Sequence, residues 1–469
     1  MDGAGARADA LVLFGITGDL AAKMVLPALY RLVRDGFPLG RIVGVSRGGR
    51  TLDDLRQHAR KAVEAQGPVD DAVFAEFAGL LRLAAVDYDD PDSFQSIVAE
   101  VADRRFLAHY LAIPPDRYAE TAQALAAAGL NERARLVVEK PFGRDLASAR
   151  ALEARLTRCF PAEEVRRVDH FLGKDAVESL LTFRAANTLI DRTLHRDAVR
   201  SVQVFGIEDL DVEGRGGFYD DTGCLRDVVQ NHLLQTLAMF VMETPETNAA
   251  EDVVAERVRA LRAFRTVTPE DYVRGQYEGY RDTEGVRPGS TTETYAALRL
   301  FVDTERWAGV PFCVQAGKGL AATATEIVVE LRSPVPASRL TRAVADAPPD
   351  LLRLRLEPDA GVTVQLLAAH GPWPALPAPS AELVDGVAAA ADFPHLTGSN
   401  VTAYERVMAA VMTGDTRRFA SMRAIEECWR VVGPLLDLPD PPIPYRKGSD
   451  GPAEAARLTP GRHWYTPAP

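Results

Sequence analysis

The chain has 469 residues, too many for one ordinary core, so two or three domains are expected. With 47% hydrophobic and 26% charged residues it has a globular composition, and a net charge of −12 excludes a broad basic face for nucleic acid. A few converging Lys and His can still gather an anionic metabolite on such a surface. No stretch is long enough to span a bilayer, and the opening MDGAGARADA lacks the apolar core of a signal peptide, so a cytoplasmic protein without membrane contact is expected. Cys159, Cys224, Cys313 and Cys428 are too far apart for a CxxC pair, and the eight histidines show no HExxH-like spacing. Reduced thiols and no metal are the expectation.

The first third alternates apolar runs with amphipathic stretches. Strands are expected at 11–14, 41–45, 82–86, 109–113 and 136–139, with helices at 19–35, 53–65, 92–103 and 116–128. That alternation predicts a parallel sheet with helices on its faces. The first strand breaks at Gly15-Ile16-Thr17-Gly18-Asp19-Leu20 and resumes as a helix. Glycines there permit positive φ and let backbone N–H groups approach a ligand, and the helix N-terminus favours a pyrophosphate. Ala21 is small enough for close helix–strand contact. The spacing is G-x-x-G-x-x-A, and alone it fits a plain glycine turn equally well. The second strand supplies context, ending in Ser46-Arg47 with Arg50 nearby and no acid before Asp53. An acid at this point would hold a ribose 2′-hydroxyl, whereas a guanidinium suits a 2′-phosphate. NADP is favoured on that ground, against the plainer reading of a solvated surface Arg.

The fifth strand ends in Glu139-Lys140-Pro141, at the carboxyl end where ligands bind in such sheets. Lys140 there either faces cofactor and substrate together or simply precedes a Pro turn. RVDHFLGKD, 167–175, sets Asp169, His170 and Lys174 close together. His170 and Lys174 share one face if the stretch is helical, and then make a phosphate site. Ordinary charges at a helix start are the equal alternative.

After about residue 180 the period becomes two. Strands are expected at 201–208, 294–302, 325–332, 351–356 and 362–368, forming an antiparallel sheet with one face buried and one wetter. Ile327, Val329 and Leu331 point one way, and Glu326, Glu330 and Arg332 mostly the other. Helices are expected at 222–241, 251–263, 400–413 and 419–435, and Pro-rich loops at 371–379 and 439–444. The first of these helices mixes Leu225, Val228, Val229, Leu233 and Leu237 with Arg226, Asp227, Gln230, Asn231 and His232. Polar groups in a half-buried helix need partners, so His232 is either a satisfied core group or a base with an orienting carboxylate. Lys318, between Gly317 and Gly319, either approaches a ligand or marks a tight turn.

Taken in order, FGITGDLA, EKPFG, RVDHFLGK, EGRGGFYDDTGCLRDVVQNHLLQ and RWAGVPFCVQAGKGL resemble the glucose-6-phosphate dehydrogenase family across nearly the whole chain. The resemblance implies an α/β, Rossmann-like NADP-binding domain, set here at 1–175. It implies a second, α+β domain at 176–469 with a large, mainly antiparallel sheet through which homodimers or homotetramers form. His232 then matches the general base that takes the proton of the anomeric hydroxyl of glucose 6-phosphate. Asp169 matches the carboxylate that orients it, although spacing alone does not bring the two together. His170 and Lys174 match the 6-phosphate ligands, and Lys140 the residue touching cofactor and sugar. Glu208 and Asp227 match sugar-hydroxyl partners, and Lys318 a further substrate contact. Thr17, Gly18, Asp19, Leu20 and Arg47 fall at cofactor positions beside Gly15, with NAD a weaker alternative to NADP. Such a reaction needs one base, a placed hydride acceptor and no metal.

Five positions depart from the family pattern. Met24 stands where Lys is usual, with Lys23 just before it; Phe171 replaces Tyr, and Thr323 a basic residue. Ala324 and Val328 stand where animal members carry basic residues for a second, structural NADP, which argues against that site here. The first three changes remove polar groups expected around the phosphate, which leaves a related hexose 6-phosphate as a rival substrate. A non-catalytic nucleotide-binding homologue is a further rival, opposed by the joint retention of Asp169, His170, Lys174, Asp227 and His232.

Overall fold

The computed structural model describes residues 6–212, 214–332, 349–369, 381–388 and 401–467, so the Pro-rich stretch 371–379 lies outside the described residues. Two compact units are present. The first gathers Met1–Lys174, Pro245–Glu256 and Asn400–Glu426, and the second Asp175–Thr244, Arg257–Ser399 and Glu427–Pro469. A single cut after residue 175 thus leaves two later segments with the first unit.

The first unit is built on β1 (Ala10–Phe14), β2 (Arg41–Ser46), β3 (Leu81–Ala85), β4 (Leu107–Leu111), β5 (Ala134–Glu139) and β6 (Val165–Val168). All are parallel, in the order β3-β2-β1-β4-β5-β6. This is the doubly wound order, whose ligand crevice opens where the strand order reverses, between β1 and β4. Every residue of β1 is buried, as a central parallel strand covered on both faces requires. The segment 401–426 joins this unit through Arg135 and Arg31. Arg135 on β5 donates to the Val411 and Ala6 carbonyls (2.5 and 3.0 Å), and Arg31 pairs with the buried Glu405 at 2.7 Å. Thr402 and Glu405 cap each other's backbone and start the helix Ala403–Thr413. The helix expected at 19–35 opens as a π-helical turn, Ala21–Val25, before continuing as Leu26–Arg34.

The second unit carries β7 (Val199–Ile207), β8 (Tyr272–Tyr277), β9 (Tyr295–Leu300), β10 (Phe312–Gly317), β11 (Ala324–Leu331), β12 (Leu351–Glu357), β13 (Gly361–Ala369), β14 (Ala381–Ala388) and β15 (Ile443–Tyr445). They form one nine-stranded sheet in the order β14-β13-β12-β11-β7-β10-β9-β8-β15. It is antiparallel apart from the β7–β10 and β8–β15 pairs. Successive residues of β7 face opposite sides. Gly206 faces a helix so closely that a Cβ would come within 2.9 Å of Leu233, while Phe205 packs on the other side with Val328, Leu351, Trp464 and Tyr465.

The expectation of a wetter face on β11 is corrected. Glu326 and Glu330 are only 0% and 2% exposed, because the C-terminal Trp464 and Tyr465 cover their side of the sheet. Each carboxylate has the cationic partner that burial demands, Arg353 at 3.3 Å and Arg200 at 2.6 Å. The helix expected at 222–241 is also divided. Gly216–Cys224 breaks at Gly223 (φ 72°), Leu225–Leu233 is π-helical, and Leu234–Val241 is α-helical. Among the described residues no helix is long and apolar enough to cross a membrane.

Candidate active site

β1 and β4 pair with Phe14 opposite Leu111, so Gly15 and Ala112 leave the sheet side by side. Gly15 has φ 72°, and a Cβ there would stand 2.2 Å from the Ala112 carbonyl oxygen. The Gly18 N–H donates to the Gly15 carbonyl at 2.9 Å, closing the turn. A cavity of about 380 Å³ opens over it, lined by Gly15, Thr17, Gly18, Arg47, Tyr88 and Arg117 among others. Asp89, Tyr88 and Arg117 come from the loops after β3 and β4 and were not singled out in the sequence; their signal is position at strand carboxyl ends. Arg117 pairs with Asp89 at 2.9 Å across this rim. Asp19 and Leu20 are not among the lining residues. Asp19 is exposed and pairs with Lys23 at 3.1 Å, and Leu20 packs toward the core.

β5 and β6 pair with Glu139 opposite Val168, which sends Lys140 and Asp169 out at adjacent strand ends. Glu139 is buried. Its Oε1 accepts from the Tyr110 hydroxyl at 2.5 Å and the Tyr404 hydroxyl at 3.2 Å, and its backbone carbonyl accepts from Tyr118 at 2.9 Å. Burial pushes its carboxyl up to about 7, outweighing the two phenol hydrogen bonds that favour the charged form. A raised carboxyl binds its proton more tightly in the folded state. Its stabilising contribution is complete below the ordinary value of 4.5 and is lost as pH rises through about 7. The full swing is on the order of 3 kcal/mol. Glu139→Gln should therefore flatten the fall in melting temperature between pH 5 and 8, and an unchanged fall would show that another group titrates there.

Asp169 is buried and accepts from the Phe171 N–H at 3.0 Å, capping the 3₁₀ turn His170–Gly173. The helical placement of His170 and Lys174 on one face is corrected, since this is a single turn and Lys174 leaves it extended (φ −71°, ψ 131°). The His170 ring stacks on Tyr404 with centroids 6.1 Å apart. The Lys174 ammonium lies 3.3 Å from the Phe171 ring centroid. Phe171 thus offers a cation–π face beneath the ammonium in place of a hydroxyl.

In the second unit, β10 and β7 pair in parallel with Gly317 opposite Ile207. The next residues, Lys318 and Glu208, therefore meet, Nζ to Oε2 at 2.6 Å. Thr323 accepts from the Asp209 N–H at 3.0 Å and bonds its carboxylate, so it closes the loop after β7. Asp227 and His232 share the π-helical segment. In i→i+5 geometry residues five apart are axial neighbours, as in the bond from Asn231 Nδ2 to the Arg226 carbonyl (3.4 Å). Asp227 and His232 are also five apart and so share a face, which an α-helix would deny them. His232 is 4% exposed.

Sheet order, glycine turn and strand-end arginine define the class, a protein with a dinucleotide-binding α/β fold. Residues 12–179 match the family model described as glucose-6-phosphate dehydrogenase, NAD binding domain, and residues 181–465 the model for its C-terminal domain. The chain belongs to the glucose-6-phosphate dehydrogenase family. The glucose-6-phosphate 1-dehydrogenase 1 of Mycobacterium bovis is 41% identical over 469 residues, covering 100% of this chain and 98% of the relative. The crystal structure of glucose-6-phosphate 1-dehydrogenase from Mycobacterium avium superposes with a TM-score of 0.89 at 41% identity, covering 99% of each chain. A glucose-6-phosphate dehydrogenase solved in complex with glucose-6-phosphate gives a TM-score of 0.88 at 30% identity, covering 99% of this chain and 100% of the other.

Proposed function

We propose that this protein is an NADP-dependent glucose-6-phosphate 1-dehydrogenase that oxidises D-glucose 6-phosphate to 6-phosphoglucono-1,5-lactone in the oxidative pentose phosphate pathway. The observation that supports it most is the retention of Asp169, His170, Lys174, Asp227 and His232 in a chain matched end to end by that family. The first unit takes the cofactor, and the second supplies sugar contacts and the sheet surface for a homodimer or homotetramer. A cytoplasmic location goes with the reading.

The crevice suits a dinucleotide, since a glycine turn and a cation flank the same cavity. Gly15, Thr17 and Gly18 would hold the pyrophosphate and Arg47 the 2′-phosphate, with NAD a weaker substitute. When bound, the nicotinamide accepts the two electrons that leave C1 as hydride. His232 takes the O1 proton, so the C1–O1 bond becomes the lactone carbonyl. Asp169 orients His232 and stabilises the imidazolium. His170 and Lys174 hold the 6-phosphate, while Glu208, Asp227 and Lys318 hold the sugar, and Lys140 faces both partners. The protein supplies placement and one base, which is all that oxidation of a hemiacetal asks of it.

Turnover with NADP and glucose 6-phosphate, with the lactone trapped by hydroxylamine, should give one reduced cofactor per trapped lactone. Cofactor reduction without lactone would overturn the reaction. Arg47→Ala should raise the KM for NADP about ten- to a hundredfold while that for NAD barely moves, because one charge-assisted contact to the 2′-phosphate is lost. Equal changes for both cofactors would remove Arg47 from that role.

A further inference from the structure

Glu293 lies outside every motif named above. It stands just before β9 and is 5% exposed. Its Oε1 accepts from the Leu225 N–H at 3.0 Å, and its backbone carbonyl accepts from the Cys224 N–H at 2.9 Å. These donors open the π-helical segment Leu225–Leu233, whose N-cap residue Cys224 provides no side-chain bond of its own. Donors at a helix start need an outside partner, and a carboxylate there also meets the positive end of the helix dipole. Gly223 makes the approach possible. Its φ is 72°, and a Cβ there would stand 2.6 Å from Glu293 Oε1.

We propose that Glu293 is a positioning residue for the oxidation step: it anchors the start of the π-helical segment and so fixes where Asp227 and His232 point, without touching substrate. The inference rests on reading His232 as the base. The segment is seated at its other end by Leu233 against Gly206 of β7, and Glu293 ties down the Leu225 end.

Two substitutions separate reach from charge. Glu293→Gln keeps an oxygen within reach of the Leu225 N–H, so kcat should stay within about threefold of wild type. Glu293→Asp keeps the charge and falls one methylene short, so kcat should drop about ten- to a hundredfold, as a small misplacement of a catalytic group does. The KM for glucose 6-phosphate should stay within about twofold in both, because the phosphate is held elsewhere. Hydrogen exchange over 224–233 should remain slow in Glu293→Gln and quicken in Glu293→Asp. On a His232→Asn background, Glu293→Asp should cost nothing more, since residues acting as a unit are non-additive. Equal kcat in the two variants, losses that multiply on that background, or a Glu293→Asp protein that does not fold would each overturn the proposal. Wild-type turnover in His232→Asn itself would instead fell the base assignment, and the proposal with it.

Discussion

His232→Asn should lower kcat by a factor on the order of 10²–10⁴, the usual worth of a placed general base. KM for glucose 6-phosphate should change little, because the phosphate binds to His170 and Lys174. The two neighbours of the VDH stretch should then separate. Asp169→Asn should lower kcat, since a neutral amide cannot stabilise an imidazolium. His170→Asn should act on affinity, since it removes a phosphate ligand and leaves the base intact. The structure gives the two residues distinct settings for this split. Asp169 is buried at the start of a turn, whereas His170 stacks on Tyr404. The acidic limb of the kcat/KM pH profile should vanish in the His232 variant. Steady-state kinetics of the three variants check this, and full turnover in His232→Asn would place the base elsewhere.

Gly15→Ala should be severely damaging to the first unit and to its cofactor site. Its φ of 72° is strained for alanine, and the new Cβ would lie 2.2 Å from the Ala112 carbonyl oxygen. Both residues are held by paired strands, Phe14 against Leu111, so neither backbone can yield. Strain and clash together should cost at least about 4 kcal/mol and raise the KM for NADP more than tenfold. Gly36→Ala is the control. Its φ is 75°, but nothing lies within 4 Å of the added methyl. It should cost only about 1–2 kcal/mol of left-handed strain and leave the cofactor site alone. Thermal melts and NADP titrations of both proteins check the contrast, and equal losses would contradict it.

The parallel sheet was legible because β1 to β5 are short apolar runs between amphipathic helices. β6 was not, since its VRRV carries Arg166 and Arg167, both buried through ion pairs that no hydropathy pattern announces. The helix Asp71–Leu80 escaped for a related reason, as only Phe74 and Phe77 of it are buried. β15 is three residues long and contains Pro444. On β11 the alternation marks two faces, but the cover over the glutamates comes from Trp464 and Tyr465, far along the chain.

At the candidate site, the glycine turn and the charged motifs stood out because their residue types are costly unless used. Their supports did not. Tyr404 reaches Glu139 across 265 positions, and Glu293 caps Leu225 across 68. The π-helical form of Leu225–Leu233 left no periodic trace either, since an apolar stripe of nine residues fits 3.6 or a wider turn equally well.

The most direct test of the account is kcat/KM for NADP reduction across glucose 6-phosphate, galactose 6-phosphate, glucosamine 6-phosphate and glucose itself. Glucose 6-phosphate should be the best substrate. Glucose should fall at least about a hundredfold lower, because it forgoes the charge-assisted contacts of His170 and Lys174. Equal values for glucose and glucose 6-phosphate, or a preference for another of the hexose 6-phosphates, would contradict it.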